Sequence, residues 1–271
     1  MNRTLLGAAV AALVIGHPGE GWAQHQNRNV TLHLSDRWDE CAFQLDPALT
    51  QDAWRQFTEE AGLVAYFRPL ADARPLGRGR VELSLMQWAT AIDDTDAAWN
   101  DTFVHPTADH WLFDGSRLPI PALSVRVGVG DRTDVGAVFT KNPNANYGFF
   151  GGLVQQNFID EETHGWSGAG RLNFVSLFGP EDLSFTVLGF DVVASKSFPV
   201  TSWLTLAPYI GGASYLAYAR EHTLAVNLDD EIVPASQGMI GAVAELSRAR
   251  LAVEWSNARV HTLSLRAGVG F

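Results

Sequence analysis

From Arg80 to Phe271 apolar and polar positions alternate with period two, and turn residues interrupt the alternation at short intervals. That pattern predicts a meander of antiparallel strands rather than amphipathic helices. The last segment is the clearest: Leu263, Leu265, Ala267, Val269 and Phe271 fall on one side, and Thr262, Ser264, Arg266 and Gly268 on the other. Before it, Leu251, Val253 and Trp255 oppose Arg250, Ala252, Glu254 and Ser256, while Leu123, Val125, Val127 and Val129 oppose Ser124, Arg126, Gly128 and Gly130. Between Leu183 and Ser195 neither parity is cleanly apolar, and Pro208 falls inside the next strand pattern, where it removes one ladder hydrogen bond. About ten such segments occur, each near the roughly 9 to 11 residues that a tilted strand needs to cross a bilayer.

The links between segments differ in length. Gly130 to Asp134, Ser197 to Thr201 and Ser247 to Arg250 are short, whereas Asp93 to Arg117 and Arg220 to Ser236 are long. Short links on one end and long ones on the other are what bacterial membrane barrels show as periplasmic turns and external loops. Asn257 to Arg259 breaks the alternation, being short on the long-loop side. An even number of strands puts the first strand's start and Phe271 at the same, periplasmic end.

The chain before Arg80 follows other rules. Residues 1–23 read as a secretory signal peptide, with Arg3, an apolar stretch from Leu5 to Ile15, and small residues around Gly21-Trp22-Ala23 before a cut near Ala23. A spanning helix would need about 20 apolar residues, and His17, Pro18 and Glu20 interrupt too early. Residues 24–79 then form a separate periplasmic segment with one helix, and residues 80–271 the barrel. Asp46 as N-cap, Pro47 at the first turn and Gly62 at the exit predict a helix over Pro47 to Ala61. Leu49, Ala53, Phe57 and Ala61, with Trp54 beside them, give it an apolar face. Such a face either braces the periplasmic mouth of the barrel or packs within a small N-terminal subdomain.

Composition adds exclusions. A chain 46% hydrophobic and 18% charged, with mean hydropathy -0.01, has the averages of a soluble protein, as membrane strands with alternating faces also do. The 25 glycines and 9 tryptophans suit tight turns and interfacial anchors. A net charge of -11 argues against a nucleic-acid partner, since phosphate binding rests on lysine and arginine. The single cysteine, Cys41, excludes an intramolecular disulfide, and Trp38-Asp39-Glu40 before it is unlike a lipidation signal.

The terminal run Leu263-Ser264-Leu265-Arg266-Ala267-Gly268-Val269-Gly270-Phe271 resembles the closing strand of bacterial outer-membrane β-barrel proteins, and Asp191 to Phe198 followed by Leu204 to Gly212 resembles a strand, turn and strand of that broad class. The resemblance implies an all-β transmembrane barrel of about ten antiparallel strands in the bacterial outer membrane, with lipid and lipopolysaccharide around it. It also implies that Phe271 is read by the barrel-insertion machinery. A soluble β-sandwich or a lipocalin-like barrel is the competing fold.

The chemistry is sparse. A hydrolase needs a nucleophile within reach of a base. His261 is the candidate base; Ser264 lies on the opposite face, and Ser256 could pair with it across strands. Asp93, Asp94, Asp96, Asp101, Asp109 and Asp114, mixed with Trp99, Phe103, His105, His110, Trp111 and Phe113, form an acidic aromatic loop that could hold a divalent cation but fits no calcium-loop spacing. Asp229, Asp230 and Glu231 read the same way. No catalytic, cofactor or metal residue is therefore assigned. Arg126, Arg171, Glu245, Glu254 and Arg266 fall on inward positions and are expected to line the interior, either along a water path or paired with one another in a filled barrel. The expected role is structural or in surface interaction. The alternatives are a small channel or carrier for small or apolar molecules, its cargo unknown, and a membrane-embedded lipid hydrolase.

Overall fold

The computed structural model describes residues 42–93, 95–104, 117–141 and 145–271. These residues form ten long strands: β1 Val81–Ala91, β2 Arg117–Gly128, β3 Thr133–Lys141, β4 Gly148–Ile159, β5 Ser167–Phe178, β6 Leu183–Ser195, β7 Leu204–Glu221, β8 Glu231–Leu246, β9 Ala249–Asn257 and β10 His261–Gly270. Each pairs antiparallel with its neighbours in sequence, and β10 returns to β1 from Thr262 opposite Thr90 to Gly270 opposite Glu82, so the sheet closes into a ring. The longest ladder joins β7 and β8, from Thr205 opposite Glu245 to Ala219 opposite Glu231. A short strand, Phe198–Thr201, continues β6 beyond a break and pairs with the start of β7.

Strand faces follow the period-two pattern. Leu123, Leu172, Leu188, Ile210 and Ile240 are exposed on the outside of the ring, each more than half accessible at 55–63%. On β9 and β10, Leu251, Val253 and Trp255 point out, while Glu254, Ser256, Ser264 and Arg266 are buried inside. The ambiguity of Leu183 to Ser195 has a physical cause. Phe185, Val187 and Val193 are buried on the inner side, where they meet protein instead of water, so both faces of β6 are apolar. Pro208 lies outward where the β6–β7 ladder stops; its carbonyl accepts from Lys196 N–H at 3.3 Å. A strand residue's N–H and C=O point the same way, so the bond that proline cannot donate is the reciprocal one to Lys196, at the very end of the ladder.

What fills the ring is the chain's own N-terminal part. The strand ends joined by the β1–β2, β3–β4, β5–β6, β7–β8 and β9–β10 connections lie at one mouth, and those joined by the other four connections lie at the opposite mouth, together with Phe271. At the first mouth Ala42–Phe43 pairs with Phe103–Val104, Phe43 N–H donates to Asn146 Oδ1 at 2.9 Å, and Leu45 N–H reaches Asp182 Oδ2 at 3.4 Å. Helix α1, Gln51–Ala65, then runs into the interior, and Tyr66 to Leu76 continue as a buried strap. The segment reaches the second mouth at Gly79, whose N–H donates to Gly128 C=O at 2.7 Å, and enters β1.

Two features of this segment differ from the sequence reading. The helix starts at Gln51 rather than Pro47, because Thr50 is the N-cap, its Oγ1 accepting from Ala53 N–H at 3.3 Å; Asp46 instead closes a turn by accepting from Ala48 N–H at 2.7 Å. Gly62 is inside the helix, not at its exit. A Cβ there would sit 2.5 Å from the Tyr215 ring, so glycine serves close approach of α1 to β7. The helix braces no outer rim and belongs to no separate subdomain: its apolar face is the core of the barrel. Residues 1–23, read from the sequence as a signal peptide, together with Cys41, Asp94, His105, Asp109, His110, Trp111, Phe113 and Asp114, lie outside the described residues.

Candidate functional site

The interior is the place where this chain concentrates unusual chemistry. At the loop mouth the contacts are aromatic and apolar. Trp54 and Phe57 stack at 5.5 Å between centroids, and Phe57 meets Trp99 edge-on at 5.2 Å and Phe185 at 6.4 Å. Trp99 comes from the single-turn helix α2, Ala97–Asn100, in the β1–β2 connection; it is buried and its Nε1–H donates to Glu60 at 2.6 Å. Burying an aromatic or leucine side chain contributes about 1.5–3 kcal/mol each, so Trp54, Phe57 and Leu63 hold α1 firmly against the wall.

Deeper in, the strap is held by polar contacts from all round the ring. Trp88 of β1 donates to Val64 C=O at 2.8 Å, and Asp134 of β3 accepts Leu76 N–H at 3.1 Å. Gln155 and Asn157 of β4 donate to the Arg74 and Ala73 carbonyls at 3.3 and 3.1 Å. Arg171 of β5 donates to the carbonyls of Ala71 and Asp72, and Asn173 to the Tyr66 hydroxyl, which itself donates to Asp191 of β6 at 3.0 Å. Tyr215 of β7 donates to Glu59 C=O at 2.9 Å. The fully buried Arg68 reaches Gln237 of β8, Ser256 of β9 and, at 3.5 Å, Thr262 of β10, while also donating to Leu63 and Tyr66 carbonyls. With Arg126 of β2 at 3.5 Å from Arg74 C=O, every strand of the ring bonds to residues 59–76.

The charges around the strap balance. Arg68, Arg74, Arg126, Arg171, Arg250 and Arg266 stand among Asp72, Glu82, Asp134, Asp191, Glu245 and Glu254. Of the five interior residues read from the sequence, Arg126, Arg171, Glu254 and Arg266 are buried and Glu245 is half-buried, all on the inner face. They do not pair with one another. Arg126 bonds Asp134 at 2.8 Å, Arg171 meets Asp191 at 3.4 Å, Arg266 pairs with Glu82, Glu245 takes Arg250 at 2.9 Å and Arg74 at 3.1 Å, and Glu254 accepts from Tyr209 at 2.9 Å. Glu82, Asp134 and Asp191 were legible by the same inward parity; Arg68 and Arg74 were not, because no periodicity marks an irregular strap.

The remaining candidates separate. His261 is exposed outside the ring opposite Asn257, whereas Ser256 points inward opposite Thr262, so a cross-strand His261–Ser256 pair does not form. A different pair, Ser184 Oγ with His222 Nε2 at 2.6 Å, sits on the exposed outer rim, where it and the bond from His222 N–H to Asp182 C=O tie the β5–β6 and β7–β8 connections together. Of the acidic residues described, Asp93 accepts from Thr95 N–H and O–H, which holds its carboxyl below the usual range, and Asp96 caps α2. Asp230 accepts from Tyr218, and Glu231 takes Gln51 and Arg55 of α1. These carboxylates are occupied by protein donors.

No family model and no curated protein matches the chain. Among solved structures it is similar to Ail of Yersinia pestis, at 13% identity and TM-score 0.29, over 72% of this chain and 99% of that one. It is also similar to the N-terminal β-barrel domain of Pseudomonas aeruginosa OprF (10%, TM-score 0.29, 72% and 99%) and to the β domain of the Bordetella autotransporter BrkA (9%, TM-score 0.39, 72% and 99%).

Proposed function

We propose that this chain is an outer-membrane β-barrel whose interior is sealed by its own N-terminal segment, and that it acts as a membrane-anchored scaffold presenting the loop mouth rather than as an open pore. The observation that carries the sealed state is the contact of all ten strands with residues 59–76. Ten strands enclose more space than the roughly eight that side chains alone can fill. Here a helix and a strap take up the difference.

Membrane residence is supported by the outer surface. The apolar outward row on each strand would be an aggregation hazard in water and is the expected surface in lipid. Aromatic side chains stand exposed towards both mouths: Phe139 and Phe150 near the loops, and Trp166, Phe198, Trp203 and Phe271 near the turns, as interfacial girdles do. Among the described residues no helix is long and apolar enough to cross a membrane, so crossing would fall to the strands.

Cell fractionation followed by detergent gels with and without boiling tests this reading. Recovery in the outer membrane with a heat-dependent change in migration is expected; recovery as a soluble periplasmic protein would overturn it. A second reading, a gated channel, is favoured by one feature only. Besides its buried Phe67 and Leu70, the strap is held by a ring of hydrogen bonds and ion pairs that water could replace.

A further inference from the structure

The direction in which the N-terminal segment runs has a consequence for what the cell surface displays. Resting on the membrane reading above, we propose that residues 42–79 cross the membrane inside the barrel from the outer side inward, so that the Ala42 end of this segment is displayed at the cell surface.

Three observations place the ends. Phe271 and Gly79 lie at the turn mouth: Val81 N–H donates to Phe271 C=O at 3.2 Å, and Gly79 to Gly128 at 2.7 Å. Ala42–Phe43 lies at the opposite mouth, paired with Phe103–Val104 of the longest connection and bonded both ways to Asn146. Gln51 and Arg55 of α1 bond to Asp229 in the β7–β8 connection and to Glu231 at the start of β8, on that same side. Short turns and the C-terminal strand end face the periplasm in bacterial barrels and longer loops face outward, which fixes the Ala42 end as external.

The length fits. A fifteen-residue helix rises about 22 Å, short of the roughly 30 Å hydrocarbon layer, and the extended strap from Tyr66 to Leu76 supplies the remainder. Once β10 has paired with β1 the ring is continuous, so the segment inside it has no lateral way out.

Cysteine accessibility on intact cells decides it. In a background with Cys41→Ser, single variants Ala48→Cys, Leu224→Cys and Arg78→Cys are treated with a membrane-impermeant maleimide before and after permeabilisation; Ala48 and Leu224 are exposed at the loop mouth and Arg78 at the turn mouth. Equal labelling of Ala48→Cys and Leu224→Cys on intact cells, with Arg78→Cys labelled only after permeabilisation, is the expected result. Labelling of Leu224→Cys without Ala48→Cys would overturn the proposal while leaving the membrane barrel standing. Protection of Leu224→Cys on intact cells would overturn the proposal together with the orientation it rests on. Pro47→Cys, also exposed, replaces Ala48→Cys if that variant does not give the wild-type heat shift.

Discussion

At the scale of single residues the interior depends on side chains that satisfy several partners at once. Arg68 is the extreme case: one guanidinium bonds the Leu63 carbonyl of α1, the Tyr66 carbonyl of the strap and side chains of three strands, and its charge is offset by Glu254. Arg68→Met removes these bonds, leaves their buried acceptors short of a donor and takes away one of the positive charges acting on Glu254, a loss on the order of 3 kcal/mol. The temperature at which the folded gel band converts to the unfolded one should fall markedly. Tyr66→Phe deletes one hydroxyl shared by Asp191 and Asn173 and should cost about 1 kcal/mol, since Asp191 keeps Arg171. A Tyr66→Phe shift as large as that of Arg68→Met would contradict this ranking. Inward parity made Arg126, Arg171, Glu254 and Arg266 readable in sequence, because a strand places every second residue on one face. Their partners were readable only in part: cross-strand register decides who meets whom, and period two does not encode register.

At the scale of elements, α1 and the strap are held by different means, and that difference is testable. The helix is fixed by shape: Gly62 lets it lie against Tyr215, and Trp54, Phe57 and Trp99 close the loop mouth above it. Gly62→Leu places a branched side chain where even a Cβ would be 2.5 Å from the Tyr215 ring, so the helix must be displaced. Limited proteolysis of the purified barrel should then cut within Gln51–Ala65, which is protected in the wild type; unchanged protection would argue against close helix–wall packing. Removing Leu45 to Leu76 should leave a barrel that conducts ions in planar bilayers, since the interior arginines and carboxylates would face water. A silent deletion variant that retains its heat shift would mean that the wall closes without the segment. The sequence signalled the helix by its four-residue apolar spacing but misplaced its start by four residues, because Asp46 and Thr50 are both competent caps. It could not place the helix inside the barrel. An apolar face states that a partner is needed and not which one, although the apolar inward positions of β6 were a second sign of the same contact.

At the scale of the whole molecule, alternation, turn chemistry and the Phe271 ending were enough to read a closed antiparallel ring of ten strands, because each strand's pattern is local. A filled interior was one of the two readings the inward charges allowed, but that the N-terminal segment fills it was not legible, since the filling arises from contacts between residues 59–76 and strands as far along the chain as Thr262. A barrel of this size with an empty interior would be a pore; with the segment in place its described interior is packed with buried side chains and its flank is apolar. The most direct test of that claim is the conductance of the purified full-length protein in planar lipid bilayers. The account expects insertion without resolved open steps across the voltage range. Reproducible, long-lived open steps from the intact chain would contradict it and would mean that the N-terminal segment does not occupy the interior in the membrane.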